Sequence, residues 1–199
     1  MDLTSITPSV AGMRALSHPV RLRMLGLLRL EGPATATTLA TRLGLNTGAT
    51  SYHLRQLAQH GFVEEDTERG NARDRWWRAA HQSTQTARVV HPDSATREAQ
   101  DAYAQSIAIV MTEMLQRAVE EQGQLPDEWR DASTFSDWVI RLTAARARAL
   151  VQALAETFAD VEEEDDETGA KFVVQINAFP LPGEVAPATD EDAGEGEEA

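Results

Sequence analysis

Apolar residues recur along the first sixty positions at the spacing of short amphipathic helices, each followed by a residue that stops a helix. Val10, Met13 and Leu16 mark one side of a segment from Ser9 to Ser17. Val20, Met24, Leu27 and Leu28 mark a second helix, Val20–Leu30. Pro19 stands in its first turn, where proline is tolerated, and Gly32-Pro33 stops it. Thr35–Leu43 reads as a third helix closed by Gly44, and Asn46 as the N-cap of a fourth that runs to about His60. At about 100° per residue, Thr50, Leu54 and Leu57 share the inward face of that fourth helix, with His53 at its flank. The outward face is polar.

The pattern then changes period. Phe62–Asp66 and Arg73–Arg78 are short strand-like runs on either side of Glu68-Arg69-Gly70-Asn71, which predicts a β-hairpin with one of Trp76 and Trp77 packed beneath it. After a polar linker (His81–Arg97), Ala99–Gln122 reads as a long helix. Tyr103, Ile107, Val110 and Met114 recur on it at alternating spacings of four and three, the seam of a helix that packs on another helix. Gly123–Asp127 breaks it. Asp137–Leu142 and Phe172–Phe179 alternate like strands around an amphipathic helix, Ala144–Ala159, which Thr143 is placed to cap. Trp129, Phe135, Trp138 and Phe158 read as the core of this small unit, with a small-molecule pocket as the sharper alternative.

Together these elements predict a mainly α (α+β) protein. A winged helix-turn-helix occupies residues 1–80, a linker and dimerisation helix 81–122, a small β-α-β unit 123–182, and a disordered acidic tail 183–199.

Charge changes the picture next. The net charge of −14 argues against a nucleic-acid partner until its distribution is read. Residues 1–80 carry ten arginines against seven carboxylates, a net of +3, whereas residues 81–199 carry a net of −17. Seven of the eight residues from Asp160 to Glu167 are acidic, and the chain from Gly183 holds seven carboxylates and no base. A mildly basic head on an acidic body points to DNA as the partner of the head. On the fourth helix Thr47, Gly48, Ser51, Tyr52, Arg55 and Gln59 face outward, a set able to reach base edges and phosphates from the major groove. Arg69, Arg73 and Arg75 on the hairpin, with Arg78 behind them, are expected on backbone phosphates.

Other chemistry is absent from the sequence. With no cysteine there is no disulfide or thiolate site, and His81 and His91 flank the linker without a third ligand at metal spacing. No metal, no cofactor and no catalytic constellation is expected, so the chain is not read as an enzyme. The start (MDLTSITPSV) lacks a secretion signal and no run is apolar enough for a membrane span, which places the protein in the cytoplasm, on the nucleoid.

The segment Ala15-Leu16-Ser17-His18-Pro19-Val20-Arg21-Leu22-Arg23-Met24-Leu25, with Thr50-Ser51-Tyr52-His53-Leu54-Arg55-Gln56-Leu57 and His60-Gly61-Phe62-Val63, resembles ArsR/SmtB-type winged-helix repressors over about residues 10–80. The longer C-terminal region resembles that of larger, actinobacterial-type members. The resemblance implies a homodimer on a near-palindromic operator, released in many members by an effector. It does not imply metal sensing, because the third helix begins Ala34-Thr35-Ala36-Thr37-Thr38 without a ligand pair and the long helix has no histidine. The alternative is a winged-helix protein-interaction or architectural module with no specific operator.

Overall fold

A computed structural model describes residues 4–69, 74–84, 92–159, 161 and 168–186. The chain divides into two compact units, Met1–Gln122 and Gly123–Ala199.

The first unit follows the expected order. Helices α1 (Val10–Leu16), α2 (Pro19–Leu30), α3 (Ala36–Leu43) and α4 (Thr47–Gln59) precede strands β3 (Val63–Glu65) and β4 (Trp76–Ala79). Local chemistry sets each boundary. Ser9 Oγ accepts from the Gly12 N–H at 3.1 Å, and Asn46 Oδ1 accepts from the Ala49 N–H at 2.8 Å, so two helix starts have their free donors satisfied by side chains. Gly44 ends α3 at φ +65°, a left-handed conformation that a side chain would strain. Leu16, Met24, Leu54, Leu57 and Phe62, each almost fully buried, form the centre of one apolar cluster.

Three short strands have no counterpart in the sequence reading. β1 (Ser5–Ile6) pairs in parallel with β5 (Ser83–Thr84). β2 (Ala34–Thr35) joins the hairpin, giving the order β2-β4-β3 with Ala34 opposite Trp77. Two-residue strands carry no detectable alternation, so only the partner reveals them. Trp77 is buried beneath the hairpin and Trp76 is half-buried.

The long helix α5 spans Ser94–Glu121, starting five residues earlier than Ala99. Asp93 Oδ1 accepts from the Thr96 N–H at 2.8 Å and sets that start. The helix packs on α1 and α2, and the Arg23 guanidinium on α2 binds the Glu113 carboxylate on α5, Nε to Oε2 at 2.7 Å. Arg29 ties the end of α2 to β5, with Nε to the His81 carbonyl and Nη2 to Thr84 Oγ1, both at 2.9 Å.

The second unit contains α6 (Asp127–Ala132), a short helix that follows the Gly123–Asp127 break and has no counterpart among the expected elements, and α7 (Ala144–Ala159). Thr143 caps α7 as expected, Oγ1 accepting from the Arg146 N–H at 3.3 Å. The two flanking strands are a correction: Asp137–Leu142 and Phe172–Phe179 form no strand within the chain. A strand is defined by a ladder of backbone hydrogen bonds to a second segment, and neither segment is part of a sheet ladder here. The expected aromatic core is a second correction. Trp129 stacks on Phe172 (centroids 6.4 Å apart), but Phe135, Trp138 and Phe158 are exposed. The acidic run from Asp160 lies almost wholly outside the described residues, as does the expected acidic tail from residue 187 onward.

Candidate nucleic-acid interface

Helices α3 and α4 meet across the Gly44-Leu45 turn, and burying Leu39, Leu54 and Leu57 fixes which side of α4 faces out. Thr47, Gly48, Tyr52, Arg55 and Gln59 are exposed and Ser51 is half-buried. All six expected residues of α4 therefore lie on one accessible surface. A side chain at Gly48 would meet the Asn46 cap oxygen at 3.3 Å, so glycine keeps the start of α4 open without disturbing the cap. Arg55 is pre-positioned by its own helix, Nε donating to the Ser51 carbonyl at 3.1 Å. No residue of α4 is acidic.

Beside α4 lies a shallow groove of about 350 Å³ lined by Thr35, Thr37, Ser51, Arg55, Arg75 and Trp77, among others. It brings together the start of α3, the outward face of α4 and the base of the hairpin. Thr35 and Thr37 were not among the expected site residues. The signal available was the position of Thr35 as N-cap of α3, since the first turn of a helix carries N–H groups suited to an anion.

The hairpin differs from the sequence expectation in its electrostatics. Its arginines are expected on phosphates, and each described one already has a carboxylate neighbour. Arg78 binds Glu64 at 2.8 Å, Arg75 binds Glu65 at 3.2 Å, and Arg69 lies 3.7 Å from Asp66. Glu64 and Glu65 face Arg78 and Trp77 across the β3–β4 ladder, which is how strand register creates the pairing. Arg75 also lies over the Trp77 ring, 5.8 Å from its centroid. Arg73 falls outside the described residues.

These exposed pairs are worth at most about 1 kcal/mol each, so a phosphate can displace the carboxylate. Glu65→Gln is expected to free Arg75 and tighten binding to random duplex DNA by a few-fold at low salt, with the gain shrinking as salt rises. Fluorescence anisotropy at two salt concentrations measures it; equal affinity for the variant and the parent chain would show that Arg75 does not meet phosphate.

On the inner flank of α4, the His53 ring meets that of His18 with centroids 4.7 Å apart and the planes tilted by 55°. His18 caps α2, its Nδ1 accepting from the Val20 N–H at 3.2 Å. His53 Nδ1 is buried and makes no hydrogen bond among the described residues, so His53 packs at the flank of the core rather than reading bases. Burial lowers the pKa of both rings; Arg21 and Arg23 lower that of His18 further, and the His18 ring and Arg21 lower that of His53. A histidine whose folded pKa lies below its unfolded value binds more protons when unfolded. The contribution is therefore present above the ordinary value of 6.5 and lost as pH falls below it. The head is expected to lose stability on acidification from pH 7 toward 5. His18→Asn, which keeps a capping side chain but cannot titrate, is expected to flatten that loss in urea melts across the range; an unchanged pH slope contradicts the assignment.

The seam expected to face a second copy is partly used inside the chain. Tyr103 is buried and Ile107 packs on the same cluster, whereas Val110 and Met114 are half-buried. A heptad-like seam specifies a helical partner without saying whose it is. Among the described residues, no group of three or more His, Asp or Glu side chains is placed to hold a metal ion, and no helix is long and apolar enough to cross a membrane.

Residues 16–66 match the model of a helix-turn-helix domain family. Comparison with curated proteins finds no significant match. Among solved structures, a doubly substituted apo form of ZitR from Lactococcus lactis is similar at 16% identity, over 71% of this chain and 83% of that one, with a TM-score of 0.32. The adhesin competence repressor AdcR from Streptococcus pyogenes is similar at 13% identity, over 71% of this chain and 78% of that one, with a TM-score of 0.28. At such loose superposition nothing about ligand or operator transfers from either. The matched segment contains α2, α3 and α4, with Leu16 before them and β3 of the hairpin after them: the chain carries a winged helix-turn-helix domain, an architecture of DNA-binding transcription regulators.

Proposed function

We propose that the protein is a sequence-specific, homodimeric repressor that occludes a near-palindromic operator in double-stranded DNA. The observation that carries this reading is the outward face of α4: a guanidinium, a phenol, hydroxyls and an amide at Arg55, Tyr52, Thr47, Ser51 and Gln59, with no carboxylate on the helix. In the major groove Arg55 is matched to a guanine edge, Gln59 to an adenine, and the hydroxyls to phosphates or bases. Two such helices, about 34 Å apart in a dimer, would read two half-sites one turn of DNA apart. Val110 and Met114 offer their remaining surface to the second copy, beside the exposed Ile109, Leu115 and Val119 on the same helix. Release by a small-molecule effector belongs to the same reading, as does action in the cytoplasm on the nucleoid; no enzymatic role is proposed.

The test is a gel shift with random duplex DNA in rising salt. Arg55, Arg69 and Arg75 from two protomers give a limiting slope of log K against log salt of roughly −5, reduced in magnitude because the wing arginines already hold carboxylates. Salt-dependent binding supports the reading. No shift at low salt supports a winged helix that binds protein instead.

A further inference from the structure

The second unit is an unusual object in a single chain. None of its residues 123–158, 161 and 168–186 is buried. Trp138 is 80% exposed, Val139 83% and Phe179 71%. Leu150, Val151, Leu154 and Phe158 line one side of α7 and are all exposed. With Ile140 and Phe172 added, these side chains together leave on the order of 1,000 Å² exposed, and a contiguous patch of a few hundred Å² is already large for a monomer. About 800 Å² per partner is what a stable interface buries.

From this we infer that the second unit is an association module whose occupant is the same unit of a second copy, packed with its α7 antiparallel to the first. Two features of α7 single out that partner. The first is the seam. Ala147, Val151, Leu154 and Phe158 follow a four-three-four spacing that maps onto itself when the helix is reversed. Antiparallel pairing sets Ala147 opposite Phe158, small against large, and Val151 opposite Leu154. One two-fold axis then satisfies both contacts twice.

The second feature is charge. Helix α7 has Arg146 and Arg148 near its start and Glu156 near its end, with no acid in its first turn and no base in its last. That is the unfavourable polarity for its own dipole. An antiparallel copy brings Glu156 of one helix beside Arg148 of the other, at both ends of the pair, and offsets the cost.

The full chain contains no cysteine, so introduced thiols report only on themselves. The variant carrying both Ala147→Cys and Phe158→Cys is expected to run as a covalent dimer after mild oxidation, and neither single variant should. Within one helix the two positions are about 16 Å apart, too far for an internal bridge. As a second measurement, a spin label on exposed Gln152→Cys, a change that removes no apolar contact, is expected to give one inter-protomer distance below about 30 Å, since packed helices lie 8–10 Å axis to axis. A double variant no more cross-linked than the singles, or label distances absent or far longer, overturns the proposal. Sedimentation of the parent chain separates the two readings: a dimer without these signals leaves the homodimer standing on α5, and a monomer removes both.

Discussion

Leu54→Ala is expected to destabilise the first unit by about 2–5 kcal/mol, the largest effect of any single change considered. Leu54 is fully buried at the middle of α4, in the same apolar cluster as Leu16, Met24 and Phe62. Removing its branched end leaves a hole in that cluster, which cannot close without moving the elements around it. The loss is comparable to much of the stability of a small domain. Urea unfolding of the full chain followed by circular dichroism measures it, and Leu54→Met, which keeps the volume, should cost less than about 1.5 kcal/mol. A loss below 1 kcal/mol for the alanine variant would mean that α4 is not seated as described.

Arg55→Ala, one residue further along the same helix, is expected to leave stability within about 0.5 kcal/mol and to weaken operator binding by about 1–3 kcal/mol per half-site, roughly 5- to 150-fold. Arg55 is exposed and bonds the Ser51 carbonyl of its own helix, so removing it opens no cavity and strands no buried group among the described residues. In DNA a bidentate guanidinium contact is lost at both half-sites. Arg55→Lys restores the charge but not the fork, and should recover affinity for random DNA more than for the operator. A variant with parental operator affinity would remove α4 from the interface. The contrast between positions 54 and 55 separates packing from recognition on one helix.

Position by position, the sequence shows why some of this was legible and some was not. The inward face of α4 was readable because Thr50, Leu54 and Leu57 lie within one narrow arc, and all three are buried. The outward set followed from the same wheel. Helix ends were readable where one residue type acts alone, as at Asn46 and Gly44, and misplaced at α5, where the Asp93 cap was passed over for the later apolar run. The pairing of wing arginines with Glu64, Glu65 and Asp66 depends on cross-strand register, which a count of arginines does not contain. Thr35 entered the groove through the same kind of non-local contact, β2 against β4. The alternation in Asp137–Leu142 and Phe172–Phe179 is real as a pattern, but a strand is a property of two segments, and neither joins a sheet ladder.

The most direct test of the central claim, that α4 reads operator DNA, is selection of bound genomic fragments by the purified full chain, followed by titration of the best fragment with parent and Arg55→Ala protein in rising salt. The account predicts a short near-palindromic site, tight salt-sensitive binding, and a loss of roughly 5-fold or more in the variant. Weak binding without an enriched sequence, unchanged by the substitution, would contradict it.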